Sequence, residues 1–403
     1  MDADVVVVGA GPVGGLAARQ LARKGLSVLL LEEHNKIGYP VHCAGLIGIT
    51  GLHENGVYPD QNVTITKVRR SILYAPSGSK LVFGKGAPHA YVVHRDLLDQ
   101  QIVREAEEAG AKLLLGTRVI NCQREQTGVR LTVRQGNSTR EYQAQVVVNA
   151  EGISARLSRQ NGLPGPRRPF ILRALQYEVT NVSIPANTVH LFFDNSIACH
   201  FFAWIIPLKE NQARIGLATS NRNARHALDR FLTRTSLLKG ASVEKRFGGL
   251  VYTGGPPNKT VVERFVAVGD AVGQTKATTG GGVVSGGGCA IIAAKHVQQA
   301  LQTGKYDHKE LVRYERHWKR IWGRQLYQMS LLRRLINSLS NKELDRLFLS
   351  LQGSHVRKLV ETKGDIDYQG RLITAALTSP SLIKTLLRLI LSKARYLPKI
   401  LWP

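Results

Sequence analysis

The chain has 403 residues, 43% of them apolar, which is enough for two or three domains with full cores. It has no run of the roughly 18 uninterrupted apolar residues a membrane span needs and no signal peptide ahead of its first strand, and its four cysteines (Cys43, Cys122, Cys199, Cys289) form no CxxC or Cys/His cluster, which argues against a metal site or disulfide framework and suits a reducing cytoplasm. Lys plus Arg number 55 against 29 Asp plus Glu, and the net +26 either draws an anionic partner (nucleic acid or an anionic membrane) or marks a chain that is simply basic throughout.

The chain opens with Val5 to Val8, a buried parallel strand, then Gly9-Ala10-Gly11-Pro12-Val13-Gly14 and a helix from Leu16 to Lys24. Gly9 permits the sharp turn, Gly11 lets a pyrophosphate approach the backbone, and Gly14 lets helix and strand pack closely. The amides around Val13, at the helix N-terminus, face the anion. A second strand, Ser27 to Leu31, delivers Glu32 to accept both hydroxyls of an adenosine ribose. A bound dinucleotide is expected.

Pro and Gly in Ile37–Gly45 mark an ordered loop, long enough to run from the ribose toward a flavin ring and to leave Cys43 beside it, as a functional thiol or a small apolar filler. Ser71–Tyr74 and Lys80–Phe83 read as a hairpin of a second domain. Tyr91–Asp96 leads into an amphipathic helix with Leu98, Ile102, Val103 and Ala106 on one face, ended by Gly110, and Arg95 at its start is placed to touch ribose or phosphate. The strand Lys112–Leu115 follows.

Val146–Ala150 is another buried strand, ending at Glu151-Gly152, and residues 156 to 261 alternate like an antiparallel sheet. Phe265–Val268 then runs into Gly269-Asp270, and Thr279-Gly280-Gly281-Gly282-Val283 opens a helix from Val284 to Leu301. Asp270 can bind a ribityl hydroxyl. The amides of Gly281, Gly282 and Val283 can face flavin O2 and N1, where negative charge collects on reduction. Joined to the first fingerprint, this arrangement indicates FAD rather than NAD. From Ile291 to the end, 21 basic residues oppose 8 acidic ones, so +13, half of the excess, lies in the last 113 residues. Within them Pro380–Pro398 reads as a helix with Ile383, Leu386, Leu387, Ile390 and Ala394 on one face and Lys384, Arg388 and Arg395 on another. Such a helix either lies on an anionic lipid surface or packs on the domain core.

Residues 1 to about 325 resemble the geranylgeranyl reductase family of FAD proteins, above all its archaeal digeranylgeranylglycerophospholipid reductase branch, within the para-hydroxybenzoate hydroxylase fold group. Pro40-Val41-His42-Cys43-Ala44-Gly45 matches the family's PxxCxG loop, and Phe202-Ala203-Trp204-Ile205-Ile206-Pro207 its aromatic-x-Trp-x-x-Pro signature. The resemblance implies a Rossmann-like α/β FAD fold (residues 1–65, 90–155 and 262–330), an inserted antiparallel β-sheet substrate domain (66–89 and 156–261) and a basic helical C-terminal region (331–403). It implies FAD contacts at Gly9, Gly11, Val13, Gly14, Glu32, Cys43, Ala44, Gly45, Arg95, Val119, Asp270, Gly281, Gly282 and Val283. Phe202, Trp204 and Pro207 become walls of a prenyl channel or plain sheet core, and Cys43 a proton source or a shaping group. Glu151, Ala277 and Ala218 depart from the family pattern, which usually has aspartate, proline and glycine there.

The implied reaction is saturation of carbon–carbon double bonds in geranylgeranyl chains of archaeal membrane lipids, by a cytoplasmic enzyme with a possible peripheral hold on the inner membrane face, with no nucleic-acid partner. The electron donor stays open, since no second Rossmann fingerprint is present. An aromatic-type FAD monooxygenase shares the fold but not the PxxCxG loop or the Trp-x-x-Pro signature. A basic adaptor without catalysis draws only on the charge.

Overall fold

A computed structural model describes residues 1–84, 86–353, 358, 359, 362, 364–376 and 383. Apart from Ile383, the expected helix 380–398 lies outside them.

The first sheet has, in spatial order, Val261–Val262, Phe265–Ala267, Ser138–Asn149, Ala3–Val8, Val28–Leu31 and Lys112–Leu114, with Val129–Gln135 and Thr117–Arg124 continuing from Ser138–Asn149 as an antiparallel meander. The four central pairings are parallel. A parallel strand buried on both faces needs apolar side chains at every position, which the valine run supplies. Its period of two divides it between two cores: Val5 and Val7 meet Leu16, Ile102 and Ala293 from the helices, while Val6 and Val8 meet Val119, Leu131 and Phe265. The first helix spans Pro12–Ala22, four residues ahead of the expected start at Leu16, because proline at the first helical position gives up an N–H that has no partner there anyway. The glycine-rich turn is thus shorter than the spacing suggested. The last helix of this layer, Val283–Thr303, stops at Gly304 in the left-handed region (φ 64°).

The second sheet has seven strands, in the order Ser242–Tyr252, Ile171–Thr180, Gln212–Thr219, Ala203–Pro207, Thr188–Phe192, Arg70–Tyr74 and Lys80–Gly84. Every neighbouring pair is antiparallel except Thr188–Phe192 with Arg70–Tyr74, where the earlier hairpin joins in parallel. A small sheet (Leu46–Gly48, Ala90–Val93, Thr64–Val68) lies where the chain passes between the two larger ones. The strands Thr64–Val68 and Val261–Val262 each span a domain boundary expected from the sequence.

Among the described residues no helix is long and apolar enough to cross a membrane, and no cluster of three His, Cys, Asp or Glu can hold a metal. The C-terminal helices Arg324–Asn337 and Asn341–Leu351 cover the second sheet. The latter starts with a capping box between Ser340 and Glu343 and buries Phe348 against Ala75 and Leu81 of the hairpin.

Helix Val283–Thr303 also carries His296, whose Nε2 lies 3.0 Å from Nδ1 of His317 on helix His308–Trp318. Burial, then the neighbouring His317, Lys295 and Arg313, lower the His296 pKa from 6.5 to about 4. Between those values the unfolded chain binds a proton that the folded chain refuses, so stability falls as pH drops from 6.5 to 4. His296→Gln is expected to remove part of that acid-side loss, on the order of 1 kcal/mol after solvent screening at this half-buried site. Thermal melts of both proteins across the window check it; parallel curves would refute the assignment.

Candidate active site

A single cavity of about 1530 Å³ runs along the C-terminal ends of the parallel strands and under the second sheet. Its wall takes in Gly9, Gly11, Val13, Gly14, Glu32, Val119, Cys43, Ala44, Arg95, Asp270, Gly281, Gly282, Val283, Phe202 and Trp204. Two expected residues, Gly45 and Pro207, are not part of it.

The first turn is built by backbone contact. A Cβ on Gly14 would overlap the Gly9 carbonyl oxygen, and one on Gly9 would lie 2.6 Å from the Ala150 oxygen. Gly11 differs: a Cβ there meets nothing within 4 Å, so its missing side chain leaves open space above the uncapped helix N-terminus. That space and those amides fit a pyrophosphate. Glu32 is held by the Ala10 amide, which donates to Oε2 at 2.7 Å, and by His34, whose backbone amide and ring nitrogen both reach Oε1. Its carboxylate lines the cavity where a ribose would sit.

The Cys43 loop is fastened from the second sheet, in three places. Arg214 Nη1 donates to the Ala44 oxygen at 2.7 Å, Gln176 Nε2 donates to the His42 oxygen at 3.1 Å, and the His42 ring meets the Gly248 oxygen at 2.6 Å. Arg214 is itself paired with Glu178 at 2.6 Å. Gly45 sits at φ +75°, and a Cβ there would lie 2.4 Å from the Val93 carbonyl oxygen and 2.9 Å from Arg214 Nη1, so glycine is required there although the residue is outside the cavity wall. The Gly45 amide donates to Cys43 Sγ at 3.4 Å.

Behind the thiol, Arg95 is paired with Asp99 at 3.0 Å. Burial opposes the Arg95 charge, but Asp99 and the adjacent Cys43 sulfur outweigh it and raise the Arg95 pKa; for Asp99 burial wins over Arg95 and raises the carboxyl. Asp270, opposite, is pushed up to about 6 by burial, with Arg95 pulling the other way.

Phe202 and Trp204 project with Ile206 into one apolar cluster beside Ala44 and Leu46. Pro207 ends the same strand on the opposite face, paired with Ala213, because side chains alternate along a strand. The channel's other wall comes from Leu331, Leu335 and Ile336 of helix Arg324–Asn337 and from Leu339 just after it, which the sequence did not point to. Also unforeseen are Lys276, Arg333 and Asp367 in the wall. Glu151 proves to be a cap: its carboxylate accepts the amides of Arg156, Leu157 and Ser158, each at 2.9 Å. Ala218 is buried in the aromatic cluster and lines no part of the cavity.

Gly11→Val fills the space above the helix N-terminus, where a Cβ meets no protein atom within 4 Å. The variant is expected to fold with the melting temperature of the flavin-free protein and to purify without FAD. Absorbance at flavin wavelengths and a melt check both; stoichiometric FAD in the variant would place the pyrophosphate elsewhere.

The FAD dependent oxidoreductase family is matched over residues 4–164. The chain is 31% identical to digeranylgeranylglycerophospholipid reductase 2 of Methanothermobacter thermautotrophicus across 89% of this chain and 94% of that protein. It is 30% identical to digeranylgeranylglycerophospholipid reductase of Methanocaldococcus jannaschii across 94% and 96%. A geranylgeranyl bacteriochlorophyll reductase-like structure from Thermoplasma acidophilum superposes with a TM-score of 0.87 at 26% identity, covering 96% of this chain and 99% of that one. A flavin-dependent brominase (TM-score 0.73, 18% identity, 98% and 99% covered) shares the fold alone. With an FAD cradle that fits its cofactor and relatives matched along nearly their whole length, the chain belongs to the digeranylgeranylglycerophospholipid reductase family of FAD-dependent oxidoreductases.

Proposed function

We propose that this enzyme saturates carbon–carbon double bonds of geranylgeranyl chains carried on glycerol ether lipids. The observation that carries the reading is the continuity of one cavity from the dinucleotide cradle to a channel walled by Phe202, Trp204, Leu331 and Leu335. Unactivated alkenes are poor electrophiles, so the site must combine a strong hydride donor, a proton and the exclusion of water.

Reduced FAD, when bound, supplies hydride chemistry. The chain's own residues do the rest. The amides around Gly11 and Val13 hold the pyrophosphate, Glu32 the ribose, and Asp270 the ribityl chain; the amides of Gly281, Gly282 and Val283 meet the pyrimidine edge. Phe202 and Trp204 hold the prenyl chain and keep water from it. Cys43 gives its proton to the second carbon, and the sulfur left behind faces the Gly45 amide, which donates to it, with Arg95 nearby. Cys43→Ala is expected to keep FAD and lose reduction about 10²–10⁴-fold, the usual range for a removed general acid.

Mass spectrometry of an unsaturated archaeal lipid after incubation with dithionite-reduced enzyme tests the reaction. Two hydrogens gained per double bond support it; a gain of oxygen would assign the chain to monooxygenation. The C-terminal segment 379–403 serves in this reading as a peripheral lipid anchor, each basic residue near an anionic surface contributing about 1 kcal/mol. Pelleting with anionic liposomes is expected to fall on removal of those residues, and pelleting unchanged by the deletion would eliminate the anchor.

A further inference from the structure

Arg333 is 2% exposed, on helix Arg324–Asn337. Its Nε donates to the Ala277 oxygen at 3.1 Å and its Nη2 to the Thr278 oxygen, while the guanidinium lies 4.5 Å from the centre of the Phe201 ring. Among the described residues Nη1 has no partner and no carboxylate is bonded to this cation. A buried charge without a counterion is expensive, and burial lowers the Arg333 pKa to about 9, which still leaves it protonated at neutral pH.

The two carbonyls it holds belong to the loop that ends in Gly281 and Gly282. Lys276 opens that loop: its amide donates to the Gly281 oxygen at 3.0 Å, and a Cβ on Gly281 would lie 3.3 Å from Nζ. The Lys276 charge is balanced, however, by an ion pair with the buried Asp367, and Nζ donates as well to the Ile366 oxygen at 3.0 Å. Asp270 faces Gly282 from the other side, where a Cβ would lie 2.6 Å from its Oδ1. Of the two buried cations bonded to this loop, Lys276 and Arg333, it is Arg333 whose charge no bonded acid among the described residues offsets.

We propose that Arg333 is a positioning residue that raises the reduction potential of the flavin, by holding the 276–282 loop and by placing an uncompensated positive charge behind it, while Asp367 on the C-terminal segment attenuates the second charge, Lys276. The inference rests on the placement of the pyrimidine edge at Gly281–Val283. The physical basis is that the cofactor gains negative charge on reduction at the edge those amides meet. A fixed cation in a dry site favours the more negative state without having to reorganise.

The test is the two-electron midpoint potential of the FAD-loaded protein. Arg333→Met is expected to disfavour the reduced state at least tenfold, a shift of about 30 mV to more negative values. Arg333→Lys is expected to recover most of the shift. Asp367→Asn frees the Lys276 charge and is expected to move the potential the opposite way. If Arg333→Met fails to fold, Asp367→Asn decides alone: a positive shift supports the assignment, and an unmoved or negative one overturns it. FAD-loaded Arg333→Met at the wild-type potential also overturns it. Shifted potentials in a protein that leaves prenyl lipids unsaturated would sink the proposed reaction and spare this inference; saturated lipids with unmoved potentials would do the reverse.

Discussion

Everything in the site depends on one backbone contact, the first helix seated against the turn that precedes it. The approach of Gly14 to the Gly9 carbonyl leaves no room for a side chain at Gly14, the Ala150 carbonyl leaves none at Gly9, and together these contacts set the direction of the helix axis. The same seating brings Val13 between two other glycines: a Cβ on Gly269 would lie 3.0 Å from Val13 Cγ1, and one on Gly286 2.9 Å from Cγ2. Val13 is therefore more than a backbone amide in a fingerprint. Its side chain locks the pyrophosphate turn to the loop that bears Asp270 and to the helix that follows the three glycines, so the two halves of an extended cofactor site cannot move independently.

The second sheet contributes to the chemistry through fastening rather than through reactive groups. Arg214 and Gln176 project from adjacent strands to hold the carbonyls of Ala44 and His42, on either side of Cys43. Breaking a buried charged hydrogen bond of this kind leaves an unpaired charge, typically a loss of several kcal/mol. The position of the thiol is thus enforced by strands more than a hundred residues downstream, and the same sheet walls the channel with Phe202 and Trp204.

The parallel strands, the two glycine turns and the placement of Glu32, Arg95 and Asp270 along one cavity were legible because their signals are local: an apolar run, a fixed glycine spacing, an acid at a strand end. The aromatic signature was legible in part. Alternation along Ala203–Pro207 places Trp204 with Phe202 and Ile206 and sends Pro207 to the other face, a consequence of strand period that the motif's outline conceals. Arg214, Arg333 and the Lys276–Asp367 pair were not legible. Arg214, Arg333 and Lys276 are three basic residues among 55 and Asp367 one acid among 29, distinguished only by partners far along the chain. The C-terminal helices carried apolar periodicity but nothing to say which surface they would cover.

The interleaving of the two large sheets has a consequence for how the protein is made. Ala3–Val8 pairs with a strand that ends at Asn149, and that strand in turn with Phe265–Ala267. The hairpin starting at Arg70 must wait for Thr188–Phe192 before its inner edge is covered. No N-terminal fragment that stops short of Tyr252 can therefore complete the second sheet, and none that stops short of Ala267 the first, so open strand edges persist through most of translation, the condition that favours slow assembly and chaperone dependence. Flavin capture must come later still, since its cradle spans residues 9 to 283. Cofactor loading is then a late event in the making of the chain, possible only once the strands of both sheets have been synthesised.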